Sequence, residues 1–229
     1  MNTSQSFKKI HQQKLCSNLK KTTYVVFDIE TTGGNPNHNG ITEIAGIRYN
    51  AGEIEERFHT LVNPQIPVPP IVRRITGINN AMLRDAPKIH QVMPKFLNFI
   101  RGKKLIIHNA NFDLGFLNNE LAKIKKKTIN QTEVIDSLEV ARNKFPGTSN
   151  SLDALCKRFN IDLSKRTKHN ALLDCELLRE VYINLLDAKE PKFNLSSVNF
   201  NEVKSSNIEK IYNKKLIDIS KEELKKHKQ

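Results

Sequence analysis

The segment YVVFDIETTGG, residues 24–34, is the strongest constraint on the fold. It opens as an apolar run of the kind that fills a buried β-strand and closes on two carboxylates, two hydroxyls and two glycines. Side chains alternate faces along a strand, so Asp28 and Glu30, at i and i+2, point the same way. Two ionised carboxylates on one face of a buried strand end repel, which pushes one of them towards its neutral form. A divalent cation between them reverses that balance. Taken alone, the pair fits equally well as acids that cap the turn behind them.

The rest of the chain reads as an α/β domain with polar flanks. Strand-like segments at 24–29, 41–49 and 57–62 are separated by turn chemistry in GNPNHNG (34–40) and NAG (50–52). Residues 64–70 read as an extended loop. Helical periodicity follows at 89–100 and a buried strand, KLIIH, at 104–108. A helix over about 111–124 ends in three lysines, a charge suited to a helix C-terminus. A short strand at 133–136 and helices near 137–143, 151–159 and 170–186 complete the pattern. Strands come first and then alternate with helices, which predicts a mixed five-stranded sheet with helices packed on it.

Two further acids fall on the apolar stripes of these helices. Asp113, Phe116, Leu117, Leu121 and Ile124 share one face of the 111–124 helix, so Asp113 is in register with the core. Asp174, Leu177, Leu178, Val181 and Leu185 repeat the arrangement in the last helix. A first-turn Asp is also a common response to the helix dipole. Two such acids facing the core, together with an acid pair on a core strand, are harder to explain that way. Four carboxylates that cannot neutralise one another call for metal. His169 stands five residues before Asp174 on the same rim, where a group titrating near neutrality can serve as a general base.

FDIETTG (27–33), HNANFDLGFL (108–117) and HNALLD (169–174) resemble, in order and spacing, the three motifs of the DEDD family of 3′→5′ exonucleases, in the form with a histidine in the last motif. The resemblance runs from about residue 23 to 187 and includes FHTLVNP (58–64) and ITGI (75–78). Within the family, PGTSNSLDALCKRFNID (146–162) and the helix after HNALLD are most similar to the epsilon, or proofreading, subunits of bacterial DNA polymerase III. LIDISKEELKKHK, within residues 216–229, is similar to the terminal segment with which those subunits dock on the polymerase catalytic subunit. LSSVNF (195–200) is loosely similar to a sliding-clamp-binding peptide but lacks its glutamine. The long turn GGNPNHNGITEIAG is more like stand-alone exonucleases of the family. Thr76 stands where many epsilon subunits carry a histidine, and Asn170 replaces a common glycine.

The resemblance implies a ribonuclease H-like fold for residues 23–187 and 216–229 as the docking segment; composition makes residues 1–22 a flexible basic extension, longer than the resemblance requires, and 188–215 a linker. It implies two divalent cations, Mg2+ or Mn2+, held by Asp28, Glu30, Asp174 and Asp113, with Asp28 bridging and Asp113 acting partly through water. His169 would take the proton of the attacking water. Thr31, Thr32, Gly33, Asn109, Phe112 and His169 would contact a single-stranded or frayed DNA 3′ end. Phe112 reads equally as core packing at a helix start. The same site also suits a stand-alone DNA-repair or RNA-trimming exonuclease, which would not need the docking tail. A non-catalytic adaptor would tolerate loss of an acid or of the histidine, and all five are present.

Charge agrees with a polyanion partner without requiring one. The net charge is +13, and residues 1–22 hold five lysines and no acid, while 188–229 hold ten lysines against six acids. A lysine-rich composition serves solubility as well. No apolar run approaches the roughly 20 residues that span a bilayer. The N-terminus has no secretory signal pattern. Cys16, Cys156 and Cys175 are odd in number and widely spaced, which suits a reducing compartment and gives the cytoplasm as the expectation.

Overall fold

The computed structural model describes residues 23–186. The basic extension (1–22), the linker (188–215), the clamp-like peptide (195–200) and the docking segment (216–229) lie outside the described residues. Among the described residues the sheet has five strands in the order β3-β2-β1-β4-β5. The strands are β1 (Tyr24–Thr31), β2 (Ile41–Asn50), β3 (Glu53–Leu61), β4 (Lys104–Ile107) and β5 (Val134–Asp136). β1 runs antiparallel to β2, as β2 does to β3, and parallel to β4, as β4 does to β5. The mixed sheet flanked by helices is thus the architecture the sequence predicts.

β1 is central and covered on both faces, which is why its apolar run is nearly unbroken. Val25, Phe27 and Ile29 join one core with α3 (Ile89–Ile100) and α4 (Ala110–Lys123). Tyr24 and Val26 join a second core with α7 (Ala171–Leu185). Each fully buried large apolar side chain in these layers contributes about 1.5–3 kcal/mol. Phe27 meets Phe96 of α3 edge to face, ring centres 5.4 Å apart. Asp28 and Glu30 continue the parity of Tyr24 and Val26, so they face the α7 layer.

Pairing of β1 with β4 ends at Val26 opposite Ile106. Beyond that point the parallel strands part, and their carboxyl ends open a crevice of the kind that binds ligands in α/β sheets. On the other side of β1 the register with β2 shifts between Glu30 and Thr31, so Thr42 is the extra residue of a bulge beside the acid pair.

Two differences from the expected elements have local causes. β3 begins at Glu53 rather than 57, because its first five residues are solvent-exposed and carry no apolar alternation. Its pairing is imposed by the hairpin turn, where Ala51 (φ 52°) and Gly52 (φ 93°) both adopt left-handed backbone, as a type I′ turn requires. The loop after residue 70 also holds two short helices, α1 (Pro70–Thr76) and α2 (Asn80–Leu83). No residue of α1 is buried, so it lacks a periodic signal; its marks are Pro70 at the first position and Gly77 (φ 81°) at its end. The remaining helices are α5 (Ser137–Lys144) and α6 (Leu152–Arg158).

Candidate active site

The four sequence-predicted carboxylates line one cleft of about 870 Å³ at the carboxyl end of β1, together with His169. Asp113 reaches it because α4 starts directly after β4. Asn109 turns the chain there in left-handed backbone (φ 72°, ψ 56°), a conformation asparagine tolerates better than most residues. The turn is held by Asp136, whose carboxylate accepts the N–H groups of Asn109 (3.1 Å), Ala110 (3.0 Å) and Leu138 (2.9 Å). One acid thereby caps the first turns of both α4 and α5. Asp113 falls in the first turn of α4, 2% exposed. Its carboxylate accepts backbone bonds at Ile29, freed where β1 leaves β4, and at its own residue. Asp113 Oδ1 is nonetheless buried without a hydrogen-bond partner.

Asp174 sits in the first turn of α7, 4% exposed. Asn170 is the N-cap of that helix, its side chain accepting the N–H of Leu173 at 3.0 Å. The asparagine in place of a glycine is therefore a capping residue. Below it lies Glu43, a buried acid on β2 directly opposite Glu30 in the sheet register. Glu43 accepts the N–H of Ala171 at 3.1 Å and lies 2.6 Å from His59 Nε2 on β3, so it ties β2, β3 and the start of α7 together. The hydrogen bond that His59 makes to the Glu43 carboxylate raises the pKa of His59.

Burial first, and like charges after it, govern the electrostatics. Burial, then Asp113, Glu30, Asp174 and Glu43, push the Asp28 carboxyl well above the usual carboxylate range. Burial, then Asp174 and Glu43, push Glu30 up to about 8, with Arg166 acting in the opposite direction. Burial also raises Asp113, against the pull of its backbone bonds. Glu30, His169 and Asp174 each present a ligand atom within 4.8 Å of the others. Hard oxygen donors, mutual repulsion and the orphaned Asp113 oxygen fit a divalent cation.

The other predicted residues divide into two groups. Asn109, Phe112 and His169 line the cleft. Phe112 also packs against the Phe116 ring, centres 5.1 Å apart, so its cleft-facing and core-packing readings hold together. The His169 side chain is about half exposed, and the backbone N–H of His169 donates to the Ile75 carbonyl at 3.1 Å. Thr31, Thr32 and Gly33 do not line the cleft. The Thr31 hydroxyl donates to Gly33 O (2.8 Å), and the Thr32 hydroxyl donates to Asn39 Oδ1 (3.3 Å) and accepts from Gly40 N (3.0 Å), closing the long turn. A Cβ on Gly33 would stand 2.5 Å from Asn39 Oδ1, so glycine there makes room for that asparagine. Thr76 caps the end of α1, donating to Val72 O (3.0 Å) and accepting from Ile78 N (3.1 Å).

Three residues of this site carry no clear sequence signal: Glu43, Asp136 and Arg166. Glu43 alone leaves a trace, an acid in the middle of the apolar run ITEIAGI. In sequence Arg166 is one of several basic residues flanking His169, yet its side chain is 7% exposed and grips Asp174.

Comparisons with known proteins give the family of the domain that carries this cleft. The family model described as "Exonuclease" matches residues 25–182. A protein of Rickettsia typhi named "DNA polymerase III subunit epsilon" is 40% identical over 214 residues, spanning 90% of this chain and 93% of that one. Its namesake in Salmonella typhimurium is 43% identical over 171 residues, 71% of this chain and 70% of that one. Among solved structures, Exonuclease X in complex with 5′ overhanging duplex DNA is 27% identical with a TM-score of 0.58, covering 72% of this chain and 92% of that chain. The nuclease domain of 3′hExo, a DEDDh family member bound to rAMP, aligns with a TM-score of 0.63 at 22% identity over 74% of this chain and 94% of that one, which supports the fold. No helix among the described residues is long and apolar enough to cross a membrane.

Proposed function

The chain belongs to the exonuclease family matched over residues 25–182, and on that premise we propose that it is the proofreading 3′→5′ exonuclease of a bacterial replicative DNA polymerase. It removes mispaired nucleotides from primer 3′ ends by hydrolysing the terminal phosphodiester in the cytoplasm. The observation that carries the reading is the convergence of Asp28, Glu30, Asp113, Asp174 and His169 on one open cleft at the carboxyl end of β1. The length over which the epsilon-named relatives align favours the polymerase assignment over a stand-alone enzyme.

Asp28, Glu30, Asp113 and Asp174 would hold divalent cations, Mg2+ or Mn2+. Such ions lower the pKa of a bound water and stabilise the charge developing on the leaving oxygen. His169, anchored through its backbone to Ile75 and open to solvent on its outer side, accepts the proton of the attacking water. Phe112 offers a ring face on the cleft wall on which the terminal base can stack. Arg142 also lines the cleft and would meet the backbone phosphates. Selectivity for errors needs no base readout, because a mispaired end frays more readily and costs less to unstack.

The test uses the purified full-length chain and a 5′-labelled primer annealed to a template, with a paired or mispaired 3′ end. Mononucleotides should be released only with Mg2+ or Mn2+ present, and faster from the mispaired end. Asp28→Asn and His169→Gln should each cost roughly 10²–10⁴-fold in rate with the melting transition retained. Undiminished hydrolysis by Asp28→Asn refutes the metal-ligand role of Asp28, and by His169→Gln the general-base role of His169. Removing residues 188–229 should spare hydrolysis and abolish co-purification with the polymerase catalytic subunit. Binding that survives the deletion refutes the docking assignment.

A further inference from the structure

Arg166 occupies the place in the cleft that a cation using Asp174 and His169 would occupy. Its Nε donates to Asp174 Oδ1 at 2.6 Å and its Nη2 to Asp174 Oδ2 at 2.8 Å, a two-pronged grip on both oxygens. The same Nη2 lies 3.1 Å from His169 Nδ1. A guanidinium can only donate, so the lone pair of that nitrogen is engaged as well. The third prong, Nη1, is bonded to Asp153 in the first turn of α6, an acid that is half exposed and does not line the cleft. Burial of a guanidinium beside an equally buried carboxylate is stable only while the pair is intact or both partners find replacements.

We propose that Arg166 is the built-in counter-ion of Asp174 and sets the affinity of the site for divalent metal by competing for the same carboxylate. The inference rests on the reading of Asp174 as a metal ligand. Metal entry is an exchange: Asp174 passes from the guanidinium to the cation, the His169 Nδ1 lone pair is uncovered, and Arg166 retires onto Asp153. A guanidinium that bonds both Asp174 oxygens leaves neither turned towards a cation, so the two compete for the same carboxylate. Asp153 gives the displaced guanidinium a carboxylate partner at the cleft edge. Through this competition Asp174 has a partner whether or not metal is bound.

The experiment measures Mn2+ binding to the full-length, EDTA-stripped protein by calorimetry, and follows the Arg166 Nε–H resonance during Mg2+ titration. Arg166→Lys keeps the charge and loses the fork, so it should bind Mn2+ about 3- to 10-fold more tightly than the parent. Arg166→Gln should bind more tightly still, melt lower in EDTA, and recover more of its melting temperature with Mn2+. The parent's Nε–H signal should move and lose its protection from exchange as Mg2+ saturates the site, a readout that needs no variant to fold. In an Asp174→Asn background, Arg166→Lys should leave Mn2+ affinity unaltered. Unchanged or weaker binding by Arg166→Lys, or an Nε–H signal untouched by saturating Mg2+, overturns the exchange. If Asp174→Asn itself leaves Mn2+ affinity unchanged, Asp174 is not a ligand and the metal-site reading falls with the inference.

Discussion

Raising the pH in the absence of metal should unfold this protein progressively, and divalent metal should reverse the trend. The unfolded chain releases the Glu30 proton near 4.5, whereas in the folded cleft that proton is held to about 8. Between those values the folded state carries the extra proton, so stability falls as pH rises and the whole loss is present above about pH 8. At about 1.36 kcal/mol per decade the displacement corresponds to ~5 kcal/mol, which solvent screening in an open cleft reduces to roughly 2–3 kcal/mol. For a domain of this size that is a fall of about 5–10 °C in melting temperature. Asp28 and Asp113 are shifted in the same direction and steepen the slope. His59, whose raised pKa also makes its pairing with Glu43 a source of stability lost as pH rises, adds to it. His108, lowered chiefly by burial, opposes it below about 6.5.

The assay is thermal melting in EDTA from pH 5 to 8, of the parent and of Glu30→Gln. Both histidines contribute equally to the two proteins, so the difference between the curves isolates Glu30 and its coupling to the other acids. Glu30→Gln should flatten the profile and be the more stable protein at pH 8. Added Mn2+ should raise the parent's melting temperature far more at pH 8 than at pH 5, because binding requires the proton to leave. A parent profile as flat as that of Glu30→Gln, or an equal rise with Mn2+ at both pH values, refutes the claim that these acids are held together against their charge.

Glu43→Ala should cost about 2–4 kcal/mol in urea unfolding, since it leaves the Ala171 N–H and His59 without their buried acceptor. The loss should be smaller at pH 8 than at pH 5, because Glu43 also repels Asp28 and Glu30. Asp136→Ala should cost about 1–2 kcal/mol through the caps it removes from α4 and α5, and should lower kcat more than it raises KM because Asp113 loses its fixed starting point. An unchanged kcat in a destabilised Asp136→Ala would show that the cap serves folding alone.

The apolar run of β1, the heptad-like stripes of α4 and α7 and the acids lying in register with them make the sheet, the two helices and the five-residue constellation legible in the amino-acid sequence. Those features are periodic, and period is a local property of the chain. α1 is illegible because it buries nothing, and the start of β3 because its pairing comes from the hairpin and not from its own residues. Thr31, Thr32 and Gly33 have the chemistry of a nucleotide-binding floor, whereas their hydroxyls and backbone close the turn on Asn39 and Gly40. Glu43, Asp136 and Arg166 act through partners as far as 128 residues away in sequence, and no spacing rule announces such a bond.

Hydrogen bonding sorts the acids of this cleft into two kinds, which composition and proximity cannot do. Glu43 and Asp136 accept backbone N–H groups at helix starts, and Glu43 has His59 as well; their charge is used in holding α7, α4 and α5 in place. Among the described residues, Asp28 and Glu30 receive no such bond, and their titration is governed by burial and by other carboxylates. Asp113 is divided, its carboxylate bonded to backbone while Oδ1 remains orphaned. Asp174 is gripped by the guanidinium of Arg166, and the ring of His169 stands 3.7 Å from it. A carboxylate buried without a neutral donor is stable only with a proton or a cation. Asp28, Glu30 and Asp174 lack a neutral donor and Asp113 is half in that condition, while Glu43 and Asp136 hold the helices that deliver the site. The cluster is therefore a site maintained at a cost to the metal-free fold, and that cost is what the pH profile in EDTA would measure.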